Sequence, residues 1–248
     1  MSIFDQKVIK YEMKPLSSLE KVFPDETPVY RMECQMLSGL WGETVSFQVA
    51  YTGDFVMRER LDVRVVSELA EHVHVRTVEM VPVGRATNGI VDDNYLKTTS
   101  GLYPDLLKEL KDGKVIVYSR QWRSLWVDVD ITNEIPAGEY EIELQLIKEG
   151  EVVCSAKQKV TVIGTELPKL DIMHTEWMHA DCLADYYHVE VFSEEHWKLL
   201  ENYFQEYVKR DCNMMLTPLF TSPLDTAIGL ERTTCQLIDV EVKDGEYV

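Results

Sequence analysis

The stretch Tyr140-Glu-Ile-Glu-Leu-Gln-Leu146, followed by Lys148-Glu-Gly-Glu151, indicates the fold of the larger part of the chain. Apolar and polar residues alternate in it with a period of two, which is typical of a strand with one face buried and the other in solvent. Glu149-Gly150 then lies between this run and a second alternating run. A glycine-containing pair in that place favours a tight turn, so the stretch predicts a β-hairpin.

The same alternation recurs in four earlier stretches, which turn-forming residues separate. They are Val45–Tyr51, Leu61–Val66, Val73–Val78 and Trp126–Ile131. Short strands at this spacing predict an antiparallel β-sandwich, Ig-like or jelly-roll-like, as the N-terminal domain over residues 1–166. Around Pro104, over residues 102–110, we expect one short turn of helix inserted between strands.

The pattern changes near Pro168, and residues 167–248 predict a different architecture. Apolar residues at 170–177 predict a buried strand with a polar C-terminal end. Ser193 is a favourable N-cap for a helix from Glu194 to about Arg210, and 213–220 predict a second strand. The apolar face of that helix would consist of Trp197, Leu200, Phe204 and Val208.

Strand, helix and strand of these lengths form a βαβ segment with parallel strands, which looks like the first part of a (β/α)8 barrel. The tail, with Lys243-Asp-Gly245, predicts the beginning of a hairpin. A complete barrel needs eight such units and about 250 residues. We therefore expect the chain to be the front part of a longer protein; the alternative is that this segment packs on the sandwich.

Composition narrows the possible partners. The chain has 248 residues with 25 Lys and Arg against 43 Asp and Glu, a formal charge of −18, which repels nucleic acid and anionic membrane surfaces. The five cysteines form no CxxC pair, and the N-terminus shows no signal peptide. These features predict a cytoplasmic protein with free thiols and no structural zinc site, disulfide framework or membrane segment.

Two loops that follow the predicted parallel strands, at 174–182 and 217–225, concentrate carboxylates, imidazoles and an indole. This mixture suits a sugar, because polar groups bond hydroxyls and Trp177 can offer an apolar platform to a pyranose face. Each residue also has a structural interpretation: Trp177 as part of the core, and Glu176 as an ion-paired residue. The spacing of the loop histidines and carboxylates matches no common zinc pattern, so we expect neither metal nor cofactor.

Two motifs carry a resemblance to a known family. They are His174-Thr-Glu-Trp-Met-His-Ala-Asp-Cys-Leu-Ala-Asp-Tyr-Tyr187 and Leu216-Thr-Pro-Leu-Phe-Thr-Ser-Pro-Leu-Asp-Thr-Ala227. With them the chain resembles glycoside hydrolase family 123, the β-N-acetylgalactosaminidase-like bacterial proteins. The resemblance implies a sandwich beside a catalytic barrel, and hydrolysis in which the acetamido oxygen of the sugar attacks its own anomeric carbon. An adjacent Asp-Glu pair then orients the acetamido group and acts as general acid and base.

The sequence departs from that pattern, because its one adjacent Asp-Glu pair, Asp25-Glu26, lies between prolines in a predicted turn. We therefore expect no catalytic residue in this chain, and a catalytic pair beyond residue 248. The resemblance implies only contacts with the carbohydrate ligand, by Glu176, Trp177, His179, Asp181, Thr217 and Asp225.

Two other functions remain open. One is a non-catalytic carbohydrate-binding or scaffolding module with Trp41, Trp122 or Trp126 as its platform, if these indoles lie exposed in a row. The other is an interaction protein that self-associates through the uncovered edges and faces of an incomplete barrel.

Overall fold

The computed structural model describes residues 10–28, 36–55, 57–85, 87, 95–169, 171–217 and 241–247. The chain divides into two compact units, Met1–Pro168 and Lys169–Val248, which are described separately. No helix in the described residues is both long enough and apolar enough to cross a lipid bilayer.

The first unit contains two five-stranded sheets. One has the strand order β1-β3-β8-β5-β6 and the other the order β2-β10-β9-β4-β7. Neighbouring strands are antiparallel except β2, which pairs in parallel with β10. The strands are β1 (Lys10–Ser17), β2 (Met36–Trp41), β3 (Thr44–Asp54), β4 (Glu59–Val66), β5 (Val73–Val83), β6 (Gly101–Glu109), β7 (Lys114–Val117), β8 (Arg123–Asp130), β9 (Gly138–Lys148) and β10 (Glu151–Glu166), with a 3₁₀ turn at Ala70–His72.

The two sheets share one apolar core, which confirms the predicted sandwich. Alternate residues of β8 and β9 supply its centre, and they belong to opposite sheets. These residues are 0% exposed: Leu125, Val127, Val129, Ile142, Leu144 and Leu146. The period-two alternation of the sequence therefore marks the buried faces, as expected when each sheet has one face against the other.

The predicted turns have the backbone geometry that their residues favour. Glu149 and Gly150, between β9 and β10, have φ values of 52° and 88°. Asp244 and Gly245, in the tail, have φ values of 57° and 87°. Positive φ at both central positions is what a two-residue hairpin turn of type I′ requires, which explains the glycine in each pair.

The helical turn predicted over 102–110 is wrong, because residues 102–109 lie in strand β6. The strand is at the edge of its sheet and pairs with β5 alone, with Pro104 opposite Met80. An edge strand tolerates proline because its outward N–H has no ladder partner to lose. Proline here marks an edge rather than a break in the sheet.

The second unit has two parallel strands with two helices between them. Its elements are β11 (Thr175–Trp177), α1 (Ala180–Tyr187), α2 (Glu194–Lys209), β12 (Met214–Leu216), β13 (Val242–Lys243) and β14 (Glu246–Tyr247). β11 and β12 pair in parallel, with Thr175 opposite Met214, which confirms the predicted parallel pair. β13 and β14 form the predicted antiparallel hairpin. The sequence did not predict α1.

The strand predicted over 170–177 is shorter and more exposed than expected. Only Thr175–Trp177 are in β11, and Ile172 is 64% exposed. The side-chain amide of Asn213 donates to the Ile172 carbonyl (2.8 Å) and accepts from the His174 amide (3.0 Å). Because this side chain takes the place of a backbone partner, the ladder begins only at Thr175.

Helix α2 begins as its sequence predicts. The Ser193 hydroxyl accepts a hydrogen bond from the His196 amide at 3.2 Å, which satisfies one of the free donors of the first turn. Leu200 is 1% exposed and packs in the core of the second unit. Trp197 and Val208, however, are 43% and 69% exposed, so only part of the predicted apolar face is covered within the described residues.

Candidate functional site

The carboxyl ends of β11 and β12 meet at one edge of their small parallel sheet. Met178, just beyond β11, donates its amide to the carbonyl of Leu216 at the end of β12 (2.9 Å), so the two chains leave the ladder side by side. Trp177 lies at this edge with 64% of its surface exposed, and Thr217 follows β12 directly. The parallel pairing therefore brings the first predicted loop and the start of the second together.

His179 and Asp181 lie where α1 begins. His179 occupies the N-cap position in an extended conformation, and Asp181 is in the first turn. Asp181 is 3% exposed, so its carboxylate lies inside the unit near the positive end of the helix dipole, where a negative charge is favoured. The two side chains follow Trp177 within four residues, on the same side of the parallel pair.

His196 holds the start of α1 against the start of α2. It is fully buried; its Nε2 lies 2.9 Å from the carbonyl oxygen of Ala180, and its Nδ1 accepts the amide of Phe192 at 3.0 Å. A carbonyl only accepts and an amide only donates, so the proton is on Nε2 and the ring is neutral. No pattern in the sequence predicts this role. It positions the segment that carries His179 and Asp181.

Glu176 is placed differently from the other predicted ligand contacts. On β11 it alternates with Thr175 and Trp177, and its carboxylate lies 3.4 Å from His174 Nε2, an arrangement that fits the ion-paired interpretation. The sulfur of Cys212 lies 3.7 Å and 3.8 Å from the two ring nitrogens of His174. Burial, and next the charges of Glu176 and Asp211, raise the pKa of the Cys212 thiol.

Sequence reasoning did not single out Cys212, and no sequence pattern marks it. In the observed register Thr175 is opposite Met214, which brings the segment that precedes β12, with Cys212, alongside His174. That register is set by strand pairing and is not visible in the spacing of 38 residues between them.

The hydroxyl of Thr217 is buried and has no hydrogen-bond partner among the described residues. A buried polar atom without a partner costs free energy, so this oxygen is a candidate for contact with a ligand. Asp225 lies outside the described residues.

Trp41, Trp122 and Trp126 do not form the alternative platform. The indole of Trp41 donates to the carbonyl of Ile135 (2.8 Å), and that of Trp126 donates to Asp128 (2.7 Å), with both rings half-buried. Trp122 is buried. None of the three lies open to solvent, so a sugar has no row of exposed rings to stack on here.

The Asp25-Glu26 pair is tied to a lysine of the same unit. Lys97 Nζ lies 3.1 Å from Asp25 and 2.7 Å from Glu26. The hydrogen bond from Lys97 lowers the pKa of the Asp25 carboxyl. Both carboxylates of the pair are thus salt-bridged to the same lysine side chain.

The chain thus combines a β-sandwich with a segment in which two helices join two parallel strands. Residues 177–248 match the family model of the glycoside hydrolase 123 catalytic domain. The chain thus resembles glycoside hydrolase family 123, as its two loop motifs predicted. None of the curated proteins matches the sequence.

One solved structure shows a likeness of fold. A family 123 glycoside hydrolase from Clostridium perfringens, studied for glycolipid glycan hydrolysis, superposes with a TM-score of 0.60 at 13% identity. The match covers 83% of this chain and 37% of that one, so the chain spans little more than a third of the enzyme it matches. A β-glucosidase from Listeria innocua has a TM-score of 0.29 at 10% identity, over 64% of this chain and 17% of that one.

Proposed function

We propose that this chain is the N-terminal part of a glycoside hydrolase that acts on N-acetylhexosamine-type glycans by substrate-assisted catalysis. The observation that carries the proposal is the family match over 177–248, which includes the edge where Trp177, His179, Asp181 and Thr217 lie. The second unit is, in this proposal, the first part of a (β/α)8 barrel, whose ligands bind at the carboxyl ends of its strands.

Each of these side chains has a separate task in the proposal. The exposed indole of Trp177 stacks on the apolar face of a pyranose ring. His179 bonds a sugar hydroxyl, and the Thr217 hydroxyl, which has no partner among the described residues, takes up another polar group of the ligand. Asp181 and Glu176 have weaker geometric support as sugar contacts, because Asp181 is 3% exposed and Glu176 faces His174.

The reaction itself needs groups that these residues do not include. In substrate assistance the acetamido oxygen attacks the anomeric carbon, one carboxylate orients the acetamido group, and a carboxylic acid protonates the leaving oxygen. We propose that residues outside these 248 supply that Asp-Glu pair. The chain alone then binds sugar without turning it over.

The test is binding measured by saturation-transfer NMR on the 248-residue chain, with methyl N-acetylgalactosaminide and methyl galactoside compared. We expect Trp177→Ala to weaken binding about tenfold, as the loss of one stacking contact would. Trp197→Ala is the matched control, since that indole is also exposed, at 43%, but belongs to α2. Equal loss in both variants would contradict the placement of the site.

Activity is tested on aryl N-acetylhexosaminides. We expect none from the chain and measurable turnover from a protein expressed from the longer reading frame that contains it. Turnover by the chain itself that disappeared in Glu176→Gln would overturn the proposed location of the catalytic groups. Binding without turnover by the longer protein would favour a carbohydrate-binding module.

We also propose a cytoplasmic location. Cys154 and Cys212 are free thiols, which is the usual state in a reducing compartment.

A further inference from the structure

Three side chains that can bind metals converge at the amino ends of β11 and β12. His174 immediately precedes β11, Glu176 is two residues further on the same face of the strand, and Cys212 lies two residues before β12. One donor atom from each residue lies within 4.8 Å of the other two. An imidazole nitrogen, a carboxylate oxygen and a thiol sulfur thus face a common point.

The separations agree with the edges of a coordination tetrahedron. With zinc–ligand bonds of about 2.0–2.3 Å, neighbouring donor atoms in a tetrahedral site are about 3.3–3.7 Å apart. The Nε2 atom of His174 lies 3.4 Å from the Glu176 carboxylate oxygen and 3.8 Å from the Cys212 sulfur, close to these edges. The remaining edge, from sulfur to carboxylate, is at most 4.8 Å, and rotation of the exposed Glu176 side chain can shorten it.

The backbone holds the cluster in place without an ion. The His174 carbonyl accepts from the amides of both Asn213 and Met214 at 3.1 Å, and the His174 amide donates to the side chain of Asn213 at 3.0 Å. These bonds fix His174 against the segment that carries Cys212. A site whose ligands are already oriented loses little conformational entropy on binding.

We propose that His174, Glu176 and Cys212 bind a divalent transition-metal ion, with Zn²⁺ as the ion that best suits the donors. Imidazole nitrogen, thiolate sulfur and carboxylate oxygen are the three ligand types that zinc takes, and the thiolate disfavours Mg²⁺ and Ca²⁺. Binding releases the proton of the Cys212 thiol to solvent. A water molecule completes the tetrahedron.

The position of the site assigns it a structural task. Trp177 ends β11, and His179 and Thr217 follow the carboxyl ends of the two strands, whereas His174 and Cys212 precede their amino ends. An ion there joins two segments that lie 38 residues apart in sequence. It therefore stabilises the pairing of β11 with β12 and takes no part in sugar chemistry. The inference does not depend on the proposed hydrolase function.

The test is a titration of the chelator-treated 248-residue chain with Co²⁺, followed by Zn²⁺. We expect one Co²⁺ per chain with a thiolate-to-cobalt charge-transfer band in the near ultraviolet, which Zn²⁺ abolishes. Cys212→Ser should remove the band, and His174→Ala and Glu176→Gln should each weaken binding at least tenfold. Cys182→Ser and Glu190→Gln, exposed positions of the same unit, are the matched controls and should bind as the parent does.

A second measurement needs no variant. Saturating Zn²⁺ should slow alkylation of Cys212 by iodoacetamide at least tenfold, while Cys182 keeps its rate, as read from the modified peptides by mass spectrometry. An unchanged Cys212 rate overturns the proposal, and so does a folded parent chain without the cobalt band. A band that survives Cys212→Ser and disappears in Cys182→Ser would also overturn it.

Discussion

Replacing His196 by alanine should selectively destabilise the second unit. The ring is fully buried and bonds two backbone groups, the carbonyl of Ala180 and the amide of Phe192. The substitution leaves both groups inside the protein without a partner. Each unsatisfied buried group costs about 1–3 kcal/mol, and the missing ring adds a cavity. We therefore expect the local free energy of unfolding to fall by about 3–4 kcal/mol.

The assay is hydrogen exchange of the α2 amides, read by NMR or mass spectrometry. A loss of about 3–4 kcal/mol speeds exchange on the order of 10²- to 10³-fold, up to the unprotected rate. Lys198→Ala, an exposed position two residues further along the same helix, is the control and should change stability by less than about 0.5 kcal/mol.

Two conservative variants separate the contributions of the two hydrogen bonds. His196→Asn keeps an acceptor near the position of Nδ1 and can still receive the Phe192 amide. His196→Gln keeps a donor near the position of Nε2 and can still reach the Ala180 carbonyl. Each should recover about half of the lost free energy. Unchanged exchange in His196→Ala, or an imidazole ¹⁵N spectrum with the proton on Nδ1, would refute the reasoning.

Two further predictions concern pH and association. Burial would raise the pKa of the Glu59 carboxyl, but hydrogen bonds from Tyr11 and Lys148 outweigh it and lower that pKa below its ordinary value of 4.5. The hydrogen bonds of Glu59 should stabilise the fold fully above pH 4.5, and this contribution is lost as the pH falls through the lowered pKa. In Glu59→Gln the midpoint of thermal unfolding should therefore fall less steeply below pH 4.5 than in the parent chain. An unchanged pH dependence of the midpoint would contradict this. Self-association, the third predicted function, should appear as a sedimentation coefficient that rises with protein concentration. The rise should be smaller in a Trp197→Lys, Val208→Lys variant, because both apolar side chains are exposed in the parent chain. A monodisperse monomer at every concentration would exclude self-association.

The sandwich could be predicted from sequence because its signal is local. In a sheet with one buried face, the alternation of apolar and polar residues shows which side chains of a strand face the core. Val45–Tyr51 and Tyr140–Leu146 are examples. The pairs Glu149-Gly150 and Asp244-Gly245 indicate turns, because glycine readily adopts the positive φ that these turns require. The prediction around Pro104 was wrong because a proline indicates only that a backbone N–H is missing. Whether the strand around it lies at the edge of a sheet depends on long-range strand pairing, which the local sequence does not show.

The candidate site was predictable only up to the ends of its strands. Trp177 and Thr217 follow runs of apolar residues, so their shared edge could be inferred from parallel pairing alone. The contact between Glu176 and His174 could not be predicted in this way. β11 has only three residues, and a shift of its register by one position would turn the Glu176 side chain to the opposite face.

The register of β11 and β12 also determines which side chain lies next to His174, so Cys212 could not be identified from the sequence. A side chain that faces His174 must come from the segment paired with it, and only the observed match of Thr175 with Met214 identifies that segment. Parallel pairing separates the two ends of a strand pair: residues after the strands meet at one edge and residues before them at the other. Trp177 and Thr217, which we propose as sugar contacts, lie at the first edge, and two of the three donor side chains come from the second. Loss of the ion should therefore weaken the strand pairing without removing Trp177 or Thr217 from the proposed sugar site.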